Sequence, residues 1–469
     1  MLKKNKKSEK NLNNLLPLDK WSEFVFAHAK FIDGRLNTRL KKVAKALAKS
    51  PGDSIPNALD FWSQTKAAYN FLGNKKVCCE KILESVGMST AQLCVNLDTV
   101  LNIQDTSSLS FSNAEKTSGL GPIYGKDTKG LHFHTSLAVS ENGVPIGLFG
   151  IKIWARKYEE FGKKYYCKKK PIEEKESYKW IDGINAARES IKYISPIKKV
   201  KIIHVGDRED DIFEVLSDII SSGDGCVIRS SCNRWVFDEK RVSVKAYEHV
   251  HRQNPIGRFL VEVPRKENEK ERTASLALRS CRLYLDDELK MKINLVEVLE
   301  EIPPTDVQAP LKWYLWTTEN VDSSDAIIRV VNFYKHRWLI EEYHKTLKSG
   351  CRIEALQLKS AEQIKNAVAI YAAVAVRILQ LAKLSRKEPD APCTQILMQD
   401  EWQALYTIIN KKPPNAATPV PTIREAHLWI GRLGGHIGRK SDGLPGIKTT
   451  WLGLNELSII TNVYRILRS

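Results

Sequence analysis

The sequence lacks the cysteine patterns that mark disulfide-stapled or zinc-binding proteins. Nine cysteines are scattered over 469 residues. None stands in a C-x-x-C pair, and the adjacent Cys78 and Cys79 could not easily bridge to each other, so reduced and mostly buried thiols are expected. No apolar run approaches the roughly 18 residues that span a bilayer. The basic start, MLKKNKKSEKNLNN, has no apolar stretch behind it. We therefore expect no membrane association and a cytoplasmic location.

Acidic residues are scarce relative to basic ones. The chain carries 73 Lys and Arg against 55 Asp and Glu, a formal net charge of +18 with a pI near 9.3. A surplus of this size favours a polyanionic partner, with nucleic acid first. A membrane surface is the alternative, but no basic amphipathic segment stands apart as an anchor.

The length of the chain predicts two or three domains. The first 14 residues are rich in Lys and Asn and are expected to be disordered. Helical spacing follows in LNTRLKKVAKALAKSPGD, where apolar residues share one side while Arg39 and several lysines cover the rest. This helix either lies against DNA phosphates or faces solvent. Residues 1–78 are interpreted as a small basic helical domain.

Strand patterns dominate the middle of the chain. LDTVLNIQDTSSLSF, HFHTSLAV and VPIGLFGIKIWA indicate three strands, and VKIIHVGDREDDIFEVL indicates a buried strand, a turn at Asp207 and a helix. This order predicts a mixed α/β sheet in a domain that spans 79–387. Strand patterns alone fill about 236–318, which predicts an all-β insertion. The stretch from 325 to about 385 is expected to be helical, and KEPDAPC separates a last helical unit at 388–469.

One predicted helix carries a polar stripe beside an apolar face. At about 100° per residue, Tyr334, Arg337, Glu341 and Lys348 in IIRVVNFYKHRWLIEEYHKTLKSG lie within a quarter-turn of one another. This combination suits a phosphate with a metal beside it, because cations and a phenol contact phosphate oxygens while the acid binds metal. The alternative is a solvated face on which Glu341 pairs with Lys345, four residues later.

Two aspartates complete an acidic set. Asp105 and Asp207 each follow a strand pattern, and an aspartate in such a place is often only a turn or helix cap. Two strand-end aspartates plus a helix glutamate are, however, what a two-metal phosphodiester site requires. Carboxylate oxygens bind Mg²⁺ or Mn²⁺, and two ions about 3.5–4 Å apart would stabilise the attacking and leaving oxygens. The sequence therefore predicts metal binding by Asp105, Asp207 and Glu341.

The spacing Y-x-x-R-x-x-x-E-x-x-x-x-x-x-K, which begins at Tyr334, resembles the Y-R-E-K signature of the insertion-sequence-four group of bacterial DDE transposases, and of its Tn-five-like members in particular. Six further segments resemble that family in order along nearly the whole chain: TKAAYNFLGN, IQDTSSLSF, GDREDDIFEVL, PLKWYLWTTE, AVRILQL and RLGGHIGRKSDG. The resemblance implies an RNase H-like core interrupted by the β-insertion. It also implies an N-terminal helical DNA-binding domain at 1–78 and a C-terminal helical dimerisation domain at 388–469.

The resemblance implies roles for single residues as well. Asp105, Asp207 and Glu341 would be the catalytic triad and would hold two Mg²⁺ ions, for which Mn²⁺ can substitute. Trp313 matches the position that stacks on a flipped base, although a strand tryptophan can also be a core aromatic. The full set of implied DNA contacts is Tyr334, Arg337, Lys348, Trp313, Arg229, Arg35 and Arg39, with the last two on the end-recognition surface. The loop DTKGLHFH departs from the family's aromatic-rich version, so no roles are transferred to it.

The implied activity is cut-and-paste transposition by a homodimer on paired transposon ends of double-stranded DNA, in the bacterial cytoplasm and associated with the nucleoid. Water attack nicks one strand, the freed 3′-OH attacks the opposite strand to give a hairpin that is reopened, and the 3′-OH then attacks target DNA. Two alternatives stay open. An RNase H-like nuclease or resolvase would cut without paired ends. A catalytically idle DNA-binding descendant of a transposase would be favoured by loss of a triad acid, and all three acids are present.

Overall fold

The computed structural model describes residues 16–59, 61–114, 116–162, 170–263, 271–304, 310–439 and 442–468. The disorder expected for the first 14 residues lies outside these ranges. Helices form the beginning of the described chain: α1 (Leu18–Val25), α2 (Gly34–Lys49), α3 (Ile55–Ala58), α4 (Trp62–Leu72) and α5 (Cys79–Cys94). In α2 the side chain of Asp33 caps the first turn, and the apolar side predicted from the sequence is buried at Leu40, Val43 and Leu47.

Five long or central strands form the core part of the main sheet. They are β1 (Thr99–Ser110), β3 (Lys129–Ser140), β4 (Pro145–Trp154), β5 (Lys201–Gly206) and β6 (Gly225–Arg229), with the short β2 (Gly121–Pro122) beside β3. β4, β3 and β1 are antiparallel neighbours, whereas β1, β5 and β6 run parallel. Helices α6 (Lys179–Lys192) and α7 (Phe213–Ser222) make the connections that parallel strands require. This order confirms the predicted RNase H-like α/β core.

The strand-rich segment after β6 continues this sheet. β7 (Trp235–Phe237), β8 (Ser243–Lys245), β9 (Gly257–Val263), β10 (Arg272–Tyr284), β11 (Lys292–Glu300) and β12 (Lys312–Thr317) follow, with one short helix, α8 (Ala246–His251), among them. β12 pairs antiparallel with β6, so core and insertion share one 12-stranded sheet. The sequence predicted β9 to β12, but it predicted neither the short strands β7 and β8, nor the short helix, nor the shared sheet.

Helices form the rest of the chain, and they correct one prediction. They are α9 (Ser324–Lys335), α10 (Trp338–Lys345), α11 (Ala361–Lys387), α12 (Gln399–Asn410), α13 (Ile423–Leu433) and α14 (Ile447–Ile466). The single helix predicted around the polar stripe is wrong, because the chain turns at His336 and Arg337 and becomes a π-helix over Thr346–Gly350. The apolar spacing continues through both irregularities, so periodicity could not reveal them.

The expectation that the chain has no long apolar run is wrong, because the central helix α11 contains one. By length and composition α11 could cross a membrane, but 94% of its apolar stretch is buried inside the protein. α2, α4, α5 and β4 all pack against it. Burial on this scale identifies α11 as the central core helix. The eight cysteines that the structure describes are free thiols, and five of them are buried, as expected.

Candidate active site

The two aspartates lie next to each other on the core sheet. β1 and β5 pair in parallel up to Ile103 and Val205, and the same register continued by two residues places Asp105 level with Asp207. Asp105 lies inside β1, which runs on to Ser110 against β3, whereas the sequence analysis placed it after a strand. Each carboxylate is oriented by a backbone N–H: Thr106 donates to Asp105 at 2.7 Å and Glu209 donates to Asp207 at 2.8 Å.

Glu341 lies in the first turn of α10, immediately after the break at Arg337. The guanidinium of Arg337 donates a hydrogen bond to Oε1 of Glu341, and its Nη1 lies 3.7 Å from Oδ2 of Asp105. In the structure Glu341 is therefore paired with Arg337, four residues earlier. The sequence had offered Lys345, four residues later, as the alternative partner. One arginine lies between two carboxylates that are 236 positions apart in the chain (341 − 105).

The carboxylates of this site interact electrostatically. The pKa of Asp105 is raised from 3.8 to about 6, chiefly by burial and also by the negative charges of Asp207 and Glu341, against the N–H of Thr106 and the cation of Arg337. In the part of the chain that the structure describes, no three His, Cys, Asp or Glu side chains converge closely enough to hold a metal ion. The cation that now sits between Asp105 and Glu341 is Arg337.

An aromatic pair lies beside the acidic residues. The ring of Trp313, half-buried on β12, packs against buried Tyr334 on α9, with centroids 6.2 Å apart and planes tilted by 58°. The carbonyl of Tyr334 accepts the N–H of Arg337 at 3.0 Å. Arg229 lies at the end of β6, aligned with Leu315 of β12. The structure thus brings Tyr334 and Trp313 beside Arg337, and Arg229 lies on the strand next to that of Trp313.

Lys348 and the two N-terminal arginines lie farther from the acids. Lys348 is in the π-helix, with Nζ 3.7 Å from Oε1 of Glu354. Glu354 in turn accepts the N–H of Ser110 at the end of β1, at 2.8 Å. Arg35 and Arg39 lie on α2, which packs against α1, α4 and α11. Arg35 is 92% exposed and paired with Asp33 at 2.8 Å. These arginines therefore lie on the N-terminal helices, and Arg35 has Asp33 as its carboxylate partner.

Two further residues beside the site, His344 and Thr135, had not been predicted from the sequence. His344 follows Glu341 by three residues on α10, and its Nε2 lies 3.2 Å from Oγ1 of Thr135 on β3. The spacing from Glu341 was visible in the sequence and placed His344 one turn along the same helix. Its partner was not visible, because the two residues are 209 positions apart.

The fold and the site together define a class of protein. An RNase H-like sheet with acids on β1, after β5 and on a helix packed against β1 is an arrangement suited to metal-dependent cleavage of nucleic acid. Three families match consecutive parts of the chain: Transposase DNA-binding over 18–77, Transposase DDE domain over 177–377 and Transposase Tn5 dimerisation domain over 373–469. The chain belongs to the Tn5-like DDE transposases, which cleave DNA with the help of divalent metal ions.

The DDE match contains Asp207 and Glu341 but begins after Asp105, so the position of Asp105 is supported here by its geometry. A solved structure that aligns with the chain is a cryo-EM structure of the piggyBac transposase synaptic complex with hairpin DNA. It is 10% identical over 85% of this chain and 74% of that chain, with a TM-score of 0.34. A TM-score this low gives the comparison no weight for fold or function.

Proposed function

We propose that this transposase works by a cut-and-paste mechanism. It binds the inverted repeats at transposon ends, cleaves them through a hairpin intermediate and transfers the 3′-OH ends to target DNA. The observation that supports this most directly is the convergence of Asp105 and Glu341 on Arg337, with the Trp313–Tyr334 pair alongside. Such a site offers acids for metal, a cation for phosphate and an aromatic surface for a base.

Asp105, Asp207 and Glu341 would hold two Mg²⁺ ions, for which Mn²⁺ can substitute. Their oxygens are the donors that these ions prefer, and the raised pKa of Asp105 reflects buried carboxylate charge that a divalent cation would offset. When bound, the ions supply stabilisation of the attacking and leaving oxygens. Thr106 and Glu209 keep two of the carboxylates oriented through their N–H groups.

The residues around the acids would contact the DNA. Arg337 can exchange its carboxylate partners for phosphate oxygens, because a guanidinium binds both in the same planar geometry. Tyr334, Lys348 and Arg229 would contact phosphates of the same end, and Trp313 would stack on a base taken out of the helix. The ion pairs of Arg337 with Asp105 and Glu341, and of Lys348 with Glu354, are the protein's own partners for these cations.

The proposed domains are the DNA-binding domain at 1–78, the catalytic domain at 79–387 with its insertion at about 236–318, and the dimerisation domain at 388–469. Apolar side chains are exposed at helical spacing along α14: Leu452, Ile459, Val463 and Ile466. Burying such a stripe against a second copy would be favourable. We therefore propose a homodimer in the synaptic complex, which acts on nucleoid DNA in the bacterial cytoplasm.

A cleavage assay tests the proposed mechanism. The substrate is a linear fragment that carries the DNA flanking the gene, and the products are followed with and without Mg²⁺. The proposal predicts metal-dependent nicked, hairpin and double-cut species, followed by joining of the 3′ ends to a target plasmid. Cutting without any joined product would support the nuclease alternative instead. Binding without cutting would support the idle DNA-binding alternative.

Replacing both Arg35 and Arg39 by alanine should weaken binding to transposon ends and flatten its salt dependence. Each arginine that contacts a phosphate releases about one counterion, so the slope of log K against log salt should fall by about two. Gel shifts over a series of KCl concentrations measure this slope. Arg424→Ala, an exposed arginine on α13, is the matched control. An unchanged slope in the double variant would show that α2 does not contact DNA.

A further inference from the structure

A buried histidine attaches the helix of Glu341 to the core sheet. His344 is only 7% exposed. Its Nε2 lies 3.2 Å from Oγ1 of Thr135, and its ring packs edge-on against Phe133 with centroids 4.9 Å apart. Burial, together with the nearby cation of Lys348, lowers the pKa of His344 to about 3. The ring is therefore neutral at physiological pH, and its contact with Thr135 is a hydrogen bond between uncharged groups.

The partner of His344 is the direct neighbour of Asp105. The antiparallel register of β1 and β3 aligns Asp105 with Thr135. Residues directly opposite each other in antiparallel strands share a face of the sheet, with Cβ atoms about 4.5–5.5 Å apart. The hydrogen bond of His344 therefore reaches the sheet at the position next to the first carboxylate of the site.

The same histidine fixes where Glu341 lies. Residues three apart on a helix are neighbours on one side, so His344 and Glu341 both face β1 and β3. α10 has only eight residues, follows a tight turn at His336 and Arg337 and runs directly into the π-helix over Thr346–Gly350. The position of α10 is therefore not set by a longer straight helix. It depends on contacts such as the one between His344 and Thr135.

We propose that His344 is a positioning residue, and that its hydrogen bond to Thr135 holds the helix of Glu341 against the strand of Asp105, so that the two acids can bind the same metal site. This inference rests on the proposed role of those two acids as metal ligands. Mg²⁺ demands oxygen ligands at 2.0–2.1 Å in near-ideal geometry. A small displacement of α10 would therefore lower metal affinity even if the fold were intact. Contacts that orient ligands in this way are typically worth 10- to 100-fold in affinity.

Mn²⁺ titration of the full-length protein, with free Mn²⁺ followed by electron paramagnetic resonance, tests this proposal. His344→Phe keeps a flat ring against Phe133 but loses the hydrogen bond, and Thr135→Val removes the hydroxyl at nearly constant volume. Each should weaken Mn²⁺ binding about tenfold. The double variant should be no weaker than either single one, because both remove the same contact. His344→Gln can still hydrogen-bond the hydroxyl and should bind close to the wild type.

A matched control separates positioning from packing. His427 is another buried histidine whose Nε2 contacts a threonine hydroxyl, that of Thr450 at 2.8 Å, among the C-terminal helices. His427→Phe should lower the melting temperature but leave Mn²⁺ affinity unchanged. If His344→Phe and Thr135→Val behave in the same way, or if their losses add in the double variant, the positioning role is overturned.

Glu341→Gln distinguishes this failure from failure of the proposed metal site. If that variant binds Mn²⁺ as tightly as the wild type, Glu341 is not a ligand, and the site assignment fails together with the inference. If Glu341→Gln weakens binding while the His344 and Thr135 variants do not, the metal site stands and only the positioning role is wrong.

Discussion

Glu341→Gln is expected to abolish DNA cleavage in Mg²⁺ or Mn²⁺ while the protein still binds transposon-end DNA. The substitution preserves the shape of the side chain and removes a charge that the metal ions need. Losing several kcal/mol of charge stabilisation in the transition state corresponds to about a thousandfold or more in rate. DNA binding should persist, because Arg337 would lose one of its two carboxylate partners and become freer to contact phosphate.

The neighbouring residue supplies the control for this experiment. Glu342 pairs with Lys383 at 2.6 Å, away from Arg337. Glu342→Gln should therefore retain cleavage within a few-fold of the wild type. Gel-shift and cleavage assays on one preparation of each variant make the comparison. Near-normal cleavage by Glu341→Gln would contradict the assignment of the acidic triad.

The sequence located Asp207 for a physical reason that the structure confirms. Ile202 on one face of the strand and Ile203 and Val205 on the other are apolar and buried, as is typical of a strand covered on both faces, and the chain leaves β5 directly at this aspartate. The position of Asp105 relative to its strand was predicted less accurately. Its strand continues to Ser110, because β3 pairs with β1 beyond the end of the parallel register. Pairing with a distant strand leaves no local signal in the sequence.

The role of Arg337 could be predicted only in part. Helical spacing put it beside Glu341, and the structure pairs the two residues. Its contact with Asp105 joins elements far apart in the chain, and periodicity carries no information about such contacts. The hydrogen bond between His344 and Thr135 was invisible for the same reason. Local pattern thus made the three acids candidates, whereas their contacts through Arg337 became visible only in the fold.

Trp313→Ala is expected to leave the first nick nearly intact and to slow hairpin formation by about ten- to a hundredfold. The hairpin requires a sharp bend in the DNA end, and removing one base from the stack relieves the strain at a cost of a few kcal/mol. An aromatic platform recovers about 1–3 kcal/mol by stacking, and 1.4 kcal/mol corresponds to about tenfold in rate. Trp313 is only half-buried, so part of its ring surface is open to a ligand.

The alternative is that Trp313 serves only to pack against its neighbours, and the structure shows which neighbour that is. One side of Trp313 contacts Tyr334, so truncation leaves a gap there and lowers stability to some extent. Trp316, three residues along β12 and fully buried, is the control for a purely structural tryptophan. Trp316→Phe should lower the melting temperature and slow the nick and the hairpin step together.

Time courses that resolve nicked, hairpin and double-cut DNA, with a melting curve for each variant, decide between these roles. Trp313→Phe keeps a smaller aromatic face and should recover most of the hairpin rate, whereas Trp313→Leu fills the gap against Tyr334 without an aromatic face and should not. If Trp313→Leu restores both the melting temperature and the hairpin rate, the tryptophan serves packing alone. If nick and hairpin slow equally in Trp313→Ala, as expected for Trp316→Phe, the base-stacking role is refuted.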